Sequence, residues 1–137
     1  MIRLNLPLSD LTVVDLSRIL SGPFATMALG DFGARIIKVE PPAGDDTRTW
    51  GPPFVEEDAA YFLSVNRNKE SVVLDLKKPE DLRVLEALIR RADVVVENFR
   101  PGTIDRLGIG YDRLRELNPR IILCSISGYG QTGPKRE

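Results

Sequence analysis

Apolar residues in this chain fall into short, nearly unbroken runs set apart by amphipathic or breaker-rich stretches. Residues 11–16 (LTVVDL), 35–40 (RIIKVE), 71–76 (SVVLDL), 93–99 (DVVVENF) and 121–126 (IILCSI) are β-branched and apolar, which predicts strands covered on both faces. Between the first two, Gly22 and Pro23 mark a turn, Pro23 suits the first helical position, and residues 24–31 are good helix formers. Gly30 or Gly33 can supply the left-handed cap that ends this helix. Residues 79–92 place Leu82, Leu85, Leu88 and Ile89 on one helical face, and shorter helices are predicted at 103–107 and 111–118. Strand and helix therefore alternate, the signature of an α/β fold with a Rossmann-like, doubly wound, mostly parallel sheet and helices on both faces.

One segment breaks the alternation. Residues 41–68 contain Pro41, Pro42, Gly44, Gly51, Pro52 and Pro53, so they read as a long irregular loop rather than a helix or central strand. Loops of this length in compact domains tend to be functional, and Trp50, Phe54, Tyr61 and Phe62 favour an ordered one.

Composition narrows the picture further. The 137 residues suit one domain, 1–137, and nineteen basic against twenty acidic residues leave a net charge of −1, so no global field would gather nucleic acid or an anionic membrane. There is no histidine, which removes Ser-His-Asp and Cys-His chemistry and the commonest metal ligand, and no metal site is expected. Cys124, the single cysteine, sits in an apolar run and reads as a buried, inert thiol in a reducing compartment. No run approaches a membrane span and the start lacks a signal-peptide core, so a cytoplasmic location is expected.

Ligands of open parallel sheets bind beyond the carboxyl ends of the strands. Those ends carry Ser17, Arg18 and Ser21, then Asp75 and Lys77, then Asn98 and Arg100, and finally Ser127 and Tyr129. Singly each has a bland explanation; together they put cations and amides on one edge, as a ligand with phosphates would require. The first βαβ unit also offers Glu40 for a ribose hydroxyl, but Gly22, Gly30 and Gly33 do not match G-x-G-x-x-G, and Pro23 lacks the N–H a pyrophosphate would use. A nicotinamide or flavin site is thus the weaker alternative.

The motifs SGPFATMALGDFGARIIKVE, GDDTRTWGPPF, NRNKESVVLDLK, ADVVVENFRPGTIDRLGIGY and NPRIILCSISGYGQTGP, in this order, resemble the CaiB/BaiF proteins, the family III CoA-transferases. The resemblance implies a coenzyme A-binding domain within a longer chain that forms an interlocked homodimer, with an acyl-CoA donor and a carboxylic acid acceptor. It implies an aspartate nucleophile beyond Glu137, an anhydride and an aspartyl-CoA thioester. By the same resemblance Leu74, Asp75 and Lys77 lie along the adenine nucleotide, Asn98, Phe99 and Arg100 contact the coenzyme next, Arg106 faces a phosphate, and Trp50 and Tyr61 lie near the acceptor acid. Two positions depart from the pattern: Pro41 stands where some members have a coenzyme-contacting arginine, and Leu20 where the formyl-CoA branch has a glutamine, which weighs against an oxalate-type acceptor. The motif wording is nearest to members acting on succinyl-CoA and small dicarboxylic acids. An α-methylacyl-CoA racemase of the same family and a coenzyme-binding module without activity are the alternatives.

Overall fold

The computed structural model describes residues 6–136. In chain order it contains β1 (Thr12–Asp15), α1 (Ser21–Asp31), β2 (Arg35–Glu40), a 3-10 turn (Asp46–Thr49), β3 (Phe54–Val55), β4 (Asp58–Ala59), α2 (Ala60–Asn66), β5 (Lys69–Val73), α3 (Pro79–Ile89), β6 (Val94–Glu97), α4 (Thr103–Arg106), α5 (Tyr111–Leu117) and β7 (Ile122–Ser125). The sheet order is β5-β2-β1-β6-β7 with every pairing parallel; β3 and β4 form a separate antiparallel hairpin. The chain winds outward from β1 in both directions, so the order reverses between β1 and β6, where doubly wound sheets form a crevice.

The register sorts the residues by face. Val14, Leu16, Val39, Leu74 and Val95 point to one side and pack with Leu85, Ile89, Ile104, Ile109, Leu114 and Leu117, the buried stripes of α3 to α5 and the turns between them. Val13, Ile36 and Val96 point to the other, where Leu29 of α1 covers them. On that second face the strands also turn Asp15, Lys38 and Glu40 inward, each no more than 2% exposed. The expected unbroken apolar runs are therefore interrupted by charge.

Two local features fix the turn that leads from β1 into α1. A Cβ on Gly22 would lie 2.2 Å from that of Ser17, so only glycine lets the helix start this close to the strand end. Ile19 holds φ 73°, a left-handed conformation that is strained for a β-branched residue. At the far end of α1 it is Gly33, with φ 102°, that adopts the left-handed conformation.

Three expectations need correction. The excursion 41–68 is not irregular throughout, since it carries the 3-10 turn, the β3–β4 hairpin and α2, its prolines lying before the hairpin. β5 runs Lys69–Val73, not 71–76: after Leu74 donates to Glu40 O (2.9 Å), the N–H of Asp75 turns to the Asp81 carboxylate (2.8 Å) and the chain leaves the sheet. Cys124 is exposed, because β7 is an edge strand and its Ile122 and Cys124 lie on the α1 side of the sheet, beyond the strands β1, β2 and β6 on which α1 packs.

Candidate functional site

A cavity of about 250 Å³ opens at the carboxyl ends of the strands, on the face covered by α3 to α5. Its walls come from Leu16 and Arg18 after β1, Val39 and Pro41 at the end of β2, Leu74 to Lys77 after β5, Phe99 after β6, and Thr103 and Leu107 around α4. Most of this lining is apolar, with Arg18, Lys77, Asp75 and Thr103 as its polar groups. A flat ring suits the apolar walls, and the two cations suit anionic groups at the mouth. The volume fits part of a large ligand rather than the whole.

Arg18 is placed with unusual care. The Asn98 carboxamide accepts from Arg18 N (2.8 Å) and donates to Arg18 O (2.7 Å), tying the end of β1 to the end of β6 across the point where the strand order reverses. The Arg18 guanidinium stands 5.9 Å from the Phe99 ring centroid and 3.9 Å from Asp46 Oδ2. Asp75 Oδ1 accepts from Lys77 N (3.1 Å), which turns the chain so that both residues reach the cavity.

On the opposite face the three inward charges are paired: Asp45 and Arg48 of the excursion meet Lys38 and Glu40, and Lys69 of β5 meets Asp15. Lys38 Nζ contacts Asp45 Oδ2 at 2.8 Å and donates to Ser17 O at 3.0 Å. Lys69 Nζ donates to Asp15 Oδ2 (3.0 Å), Pro23 O (2.9 Å) and Asn66 Oδ1 (3.0 Å), while Ser17 Oγ and Thr26 Oγ1 also donate to the Asp15 carboxylate. Arg48 grips Glu40 through Nε (2.8 Å) and Nη2 (2.7 Å), reaches Asp58 at 2.8 Å, and lies 3.8 Å over the Phe62 ring. Desolvation lowers the pKa of the Lys69 ammonium, opposed by the Asp15 charge.

Burial of Glu40 opposes its ionisation, yet hydrogen bonds from Arg48, Ser71 and the Asp45 N–H outweigh it and hold the carboxyl at about 2. A folded-state pKa below the unfolded value means that the unfolded chain binds more protons in the interval between them. The associated stability is thus complete above the unfolded pKa and is lost as pH falls toward about 2. With a discount for the solvent that reaches Arg48, this is on the order of 2 kcal/mol. The unfolding free energy of the wild type from urea denaturation should fall between pH 5 and pH 2 by that amount more than that of Glu40→Gln; parallel acid limbs would show that Glu40 does not carry the effect.

Comparison with known proteins places this geometry. Residues 8–137 match the family described as CoA-transferase family III. The chain belongs to that family. It is 55% identical over 129 residues to human succinyl-CoA:glutarate CoA-transferase, covering 93% of this chain and 30% of the relative. It is 54% identical to the acetyl-CoA:oxalate CoA-transferase of Acetobacter aceti, covering 33% of that protein. Among solved structures, a CaiB/BaiF family protein from Brucella suis superposes with a TM-score of 0.94 at 50% identity, over 98% of this chain and 36% of that one. The chain thus spans about a third of the length of the relatives it matches.

Of the positions that the family resemblance marks, Leu74, Asp75, Lys77 and Phe99 line the cavity. Asn98 stands beside it with its amide spent on Arg18 rather than pointing inward. Arg100 and Arg106 are exposed and outside the lining, although Arg106 donates to Thr103 Oγ1 at 2.8 Å. Trp50 and Tyr61 pack on each other, with ring centroids 5.6 Å apart, away from the cavity. Glu40 is enclosed by Arg48 and Ser71, so it is not available to a ribose. The lining residues missed are Leu16, Val39, Thr103 and Leu107, while Arg18, noted only as a strand-end cation, has its backbone fixed by Asn98. The signal for Arg18 was its place after β1 at the reversal of strand order; nothing in the sequence announced its partner Asn98.

Proposed function

We propose that this chain is the coenzyme A-holding part of a CoA-transferase that moves coenzyme A from an acyl-CoA donor to a small dicarboxylic acid. The observation that carries this reading is the cavity at the strand ends, whose apolar walls suit the adenine ring and whose Lys77 and Arg18 suit the phosphates. Arg106, next to Thr103, would meet a more distant phosphate and Arg100 the coenzyme beyond Phe99; Trp50 and Tyr61 would lie toward the acceptor. In this reading an aspartate beyond Glu137 attacks the donor carbonyl and expels the coenzyme thiolate, leaving a mixed anhydride. The thiolate then attacks the aspartyl carbonyl, giving an aspartyl-CoA thioester and releasing the donor acid. The acceptor carboxylate expels the thiolate from that thioester to form a second anhydride, and the thiolate attacks its acceptor carbonyl, which yields the new acyl-CoA and frees the aspartate.

The acceptor is harder to read from these residues. Relatives of nearly equal identity carry glutarate in one name and oxalate in the other, so the departures at Leu20 and Pro41 do not separate the two. What those names share is a dicarboxylic acid, and that is the substrate class proposed. Phe24, Leu20, Trp50, Val55 and Ile122 are between 49% and 61% exposed, which supports a longer protein or a second copy covering them.

Calorimetric titration tests the reading. Coenzyme A should bind more tightly than dephospho-coenzyme A or NADH, and Lys77→Ala should weaken it about tenfold, the scale of one charge-assisted hydrogen bond. Tighter binding of NADH would overturn the proposal, and equal affinity for coenzyme A and its dephospho form would remove the phosphate assignments.

A further inference from the structure

Arg18 is met from two independent sides, its backbone by Asn98 and its guanidinium by Asp46, and the two arrangements have nothing to do with each other in sequence. From β6, Asn98 fixes its backbone with a donor and an acceptor bond, and the turn that follows is forced through the strained φ 73° of Ile19. From the excursion, the buried Lys38–Asp45 pair and the Asp45–Thr47 hydrogen bonds anchor the start of the 3-10 turn. That anchoring sets Asp46, the next residue, 3.9 Å from the Arg18 guanidinium. Strain in a backbone turn persists only where surrounding contacts over-determine it, and here those contacts converge on one cation at the mouth of a cavity.

We infer that Arg18 is, beside Lys77, an anion-binding group of the cavity, that Asn98 is its positioning residue, and that Asp46 is a built-in counter-ion which an incoming phosphate or carboxylate displaces. The identity of the anion rests on the coenzyme reading above; the arrangement itself does not. Both partners of the Arg18–Asp46 contact are well exposed, at 43% and 61% of their side chains, so the contact is weak and readily exchanged. The guanidinium fork and its contact with the Phe99 ring suit a planar or tetrahedral oxyanion better than an ammonium would. Asp46 thereby tunes affinity: it lowers the gain from binding an anion without contributing a contact to it.

The inference predicts opposite signs at the two ends of one contact. Arg18→Gln should weaken coenzyme A binding about tenfold and flatten its salt dependence, whereas Asp46→Asn should strengthen binding about two- to fivefold, the size of an exposed ion pair removed from competition. Asn98→Ala should weaken binding as Arg18→Gln does, and the double variant should be no worse than either alone. Because Asn98→Ala also removes a cross-sheet tie, Ile19→Gly gives the independent check: it relieves the strained turn, so thermal stability should hold or rise while affinity falls. A second probe, inorganic pyrophosphate, is followed by the NMR shift of the Arg18 Nε–Hε signal, which should move at lower pyrophosphate in Asp46→Asn. If coenzyme A binds equally to the wild type, Arg18→Gln and Asp46→Asn, the inference falls and the coenzyme reading stands. If pyrophosphate moves the Arg18 signal but coenzyme A does not bind, the anion site stands and the coenzyme reading falls. If neither ligand binds, both fall.

Discussion

Lys38→Met is expected to destabilise the chain by about 3–5 kcal/mol, the cost of leaving one member of a buried ion pair alone. Lys38 is 1% exposed, and its ammonium serves both Asp45 Oδ2 and Ser17 O. Desolvation raises the pKa of the Asp45 carboxyl, and it is the hydrogen bonds from Lys38 and Thr47 that pull it below the usual carboxylate range. Without Lys38 the desolvation remains and the carboxyl must take a proton or draw in water. Since folded domains are stable by only about 5–15 kcal/mol, such a loss is a large share of the total. Urea denaturation gives the magnitude. Limited proteolysis gives the place, because freeing Asp45 should open the excursion 41–59 to cleavage before the sheet. The double variant Lys38→Met, Asp45→Leu should recover most of the loss, as replacement of a whole buried pair often does. A single variant within about 1 kcal/mol of wild type would mean that the pair is solvated in solution.

The same network explains which parts of the fold were legible in the sequence. Residues 35–40 and 93–99 read as strands because β-branched runs say so whatever lies beneath them, and α3 reads from its leucine stripe. The inward charges of β1 and β2 do not read, because their partners lie outside the strands' own pattern: Lys69 is 54 residues from Asp15, and Asp45 and Arg48 reach Lys38 and Glu40 from the breaker-rich excursion. A lysine in a run such as RIIKVE signals a wet face by pattern alone, yet here the face is dry and the charge is met by Asp45 of the excursion. The excursion was expected to be ordered by its aromatics, and Phe62 does lie under Arg48, but the guanidinium's grip on Glu40 and Asp58 supplies a second cause.

The site divides in the same way. The edge on which the cavity opens was legible, since strand ends in a parallel sheet converge whatever the residues, and the cations there were visible. Which polar groups line the cavity was not. Asn98 carries both a donor and an acceptor, and these match the backbone of Arg18, 80 residues away, so well that its amide is spent on structure. Arg100 and Arg106 are cations after β6, yet both stay exposed outside the lining, Arg106 with its guanidinium turned to Thr103 Oγ1. Pattern gave the edge on which the cavity opens, and only the register and the turns decide which residues line it.

No carboxylate in residues 6–136 is expected to become acylated when the chain is incubated with succinyl-CoA. A nucleophilic carboxylate needs free lone pairs, appreciable basicity and an approach of roughly 3–3.5 Å to the thioester carbon. Asp15, Glu40 and Asp45 fail on the first count, because Lys69, Arg48 and Lys38 occupy them, and Glu40, held at about 2, fails on the second. Glu97 is 2% exposed and accepts from Phe99 N at 2.7 Å, while Asp58 is bound by Arg48. Asp46 faces Arg18 at the anion end of the cavity, and Asp75, a carboxylate of the lining, stands between Leu74 and Leu76 where a flat ring would seat, far from the thiol end of a coenzyme held that way. Glu56 and Glu57 sit in the exposed β3–β4 turn, where nothing aligns them. Hydroxylamine trapping followed by peptide mapping should therefore return every one of these residues unmodified, even with Asp46→Asn to tighten the complex. A hydroxamate on Asp75 or Asp46 would place the nucleophile at this cavity, and the coenzyme would have to lie in it the other way round.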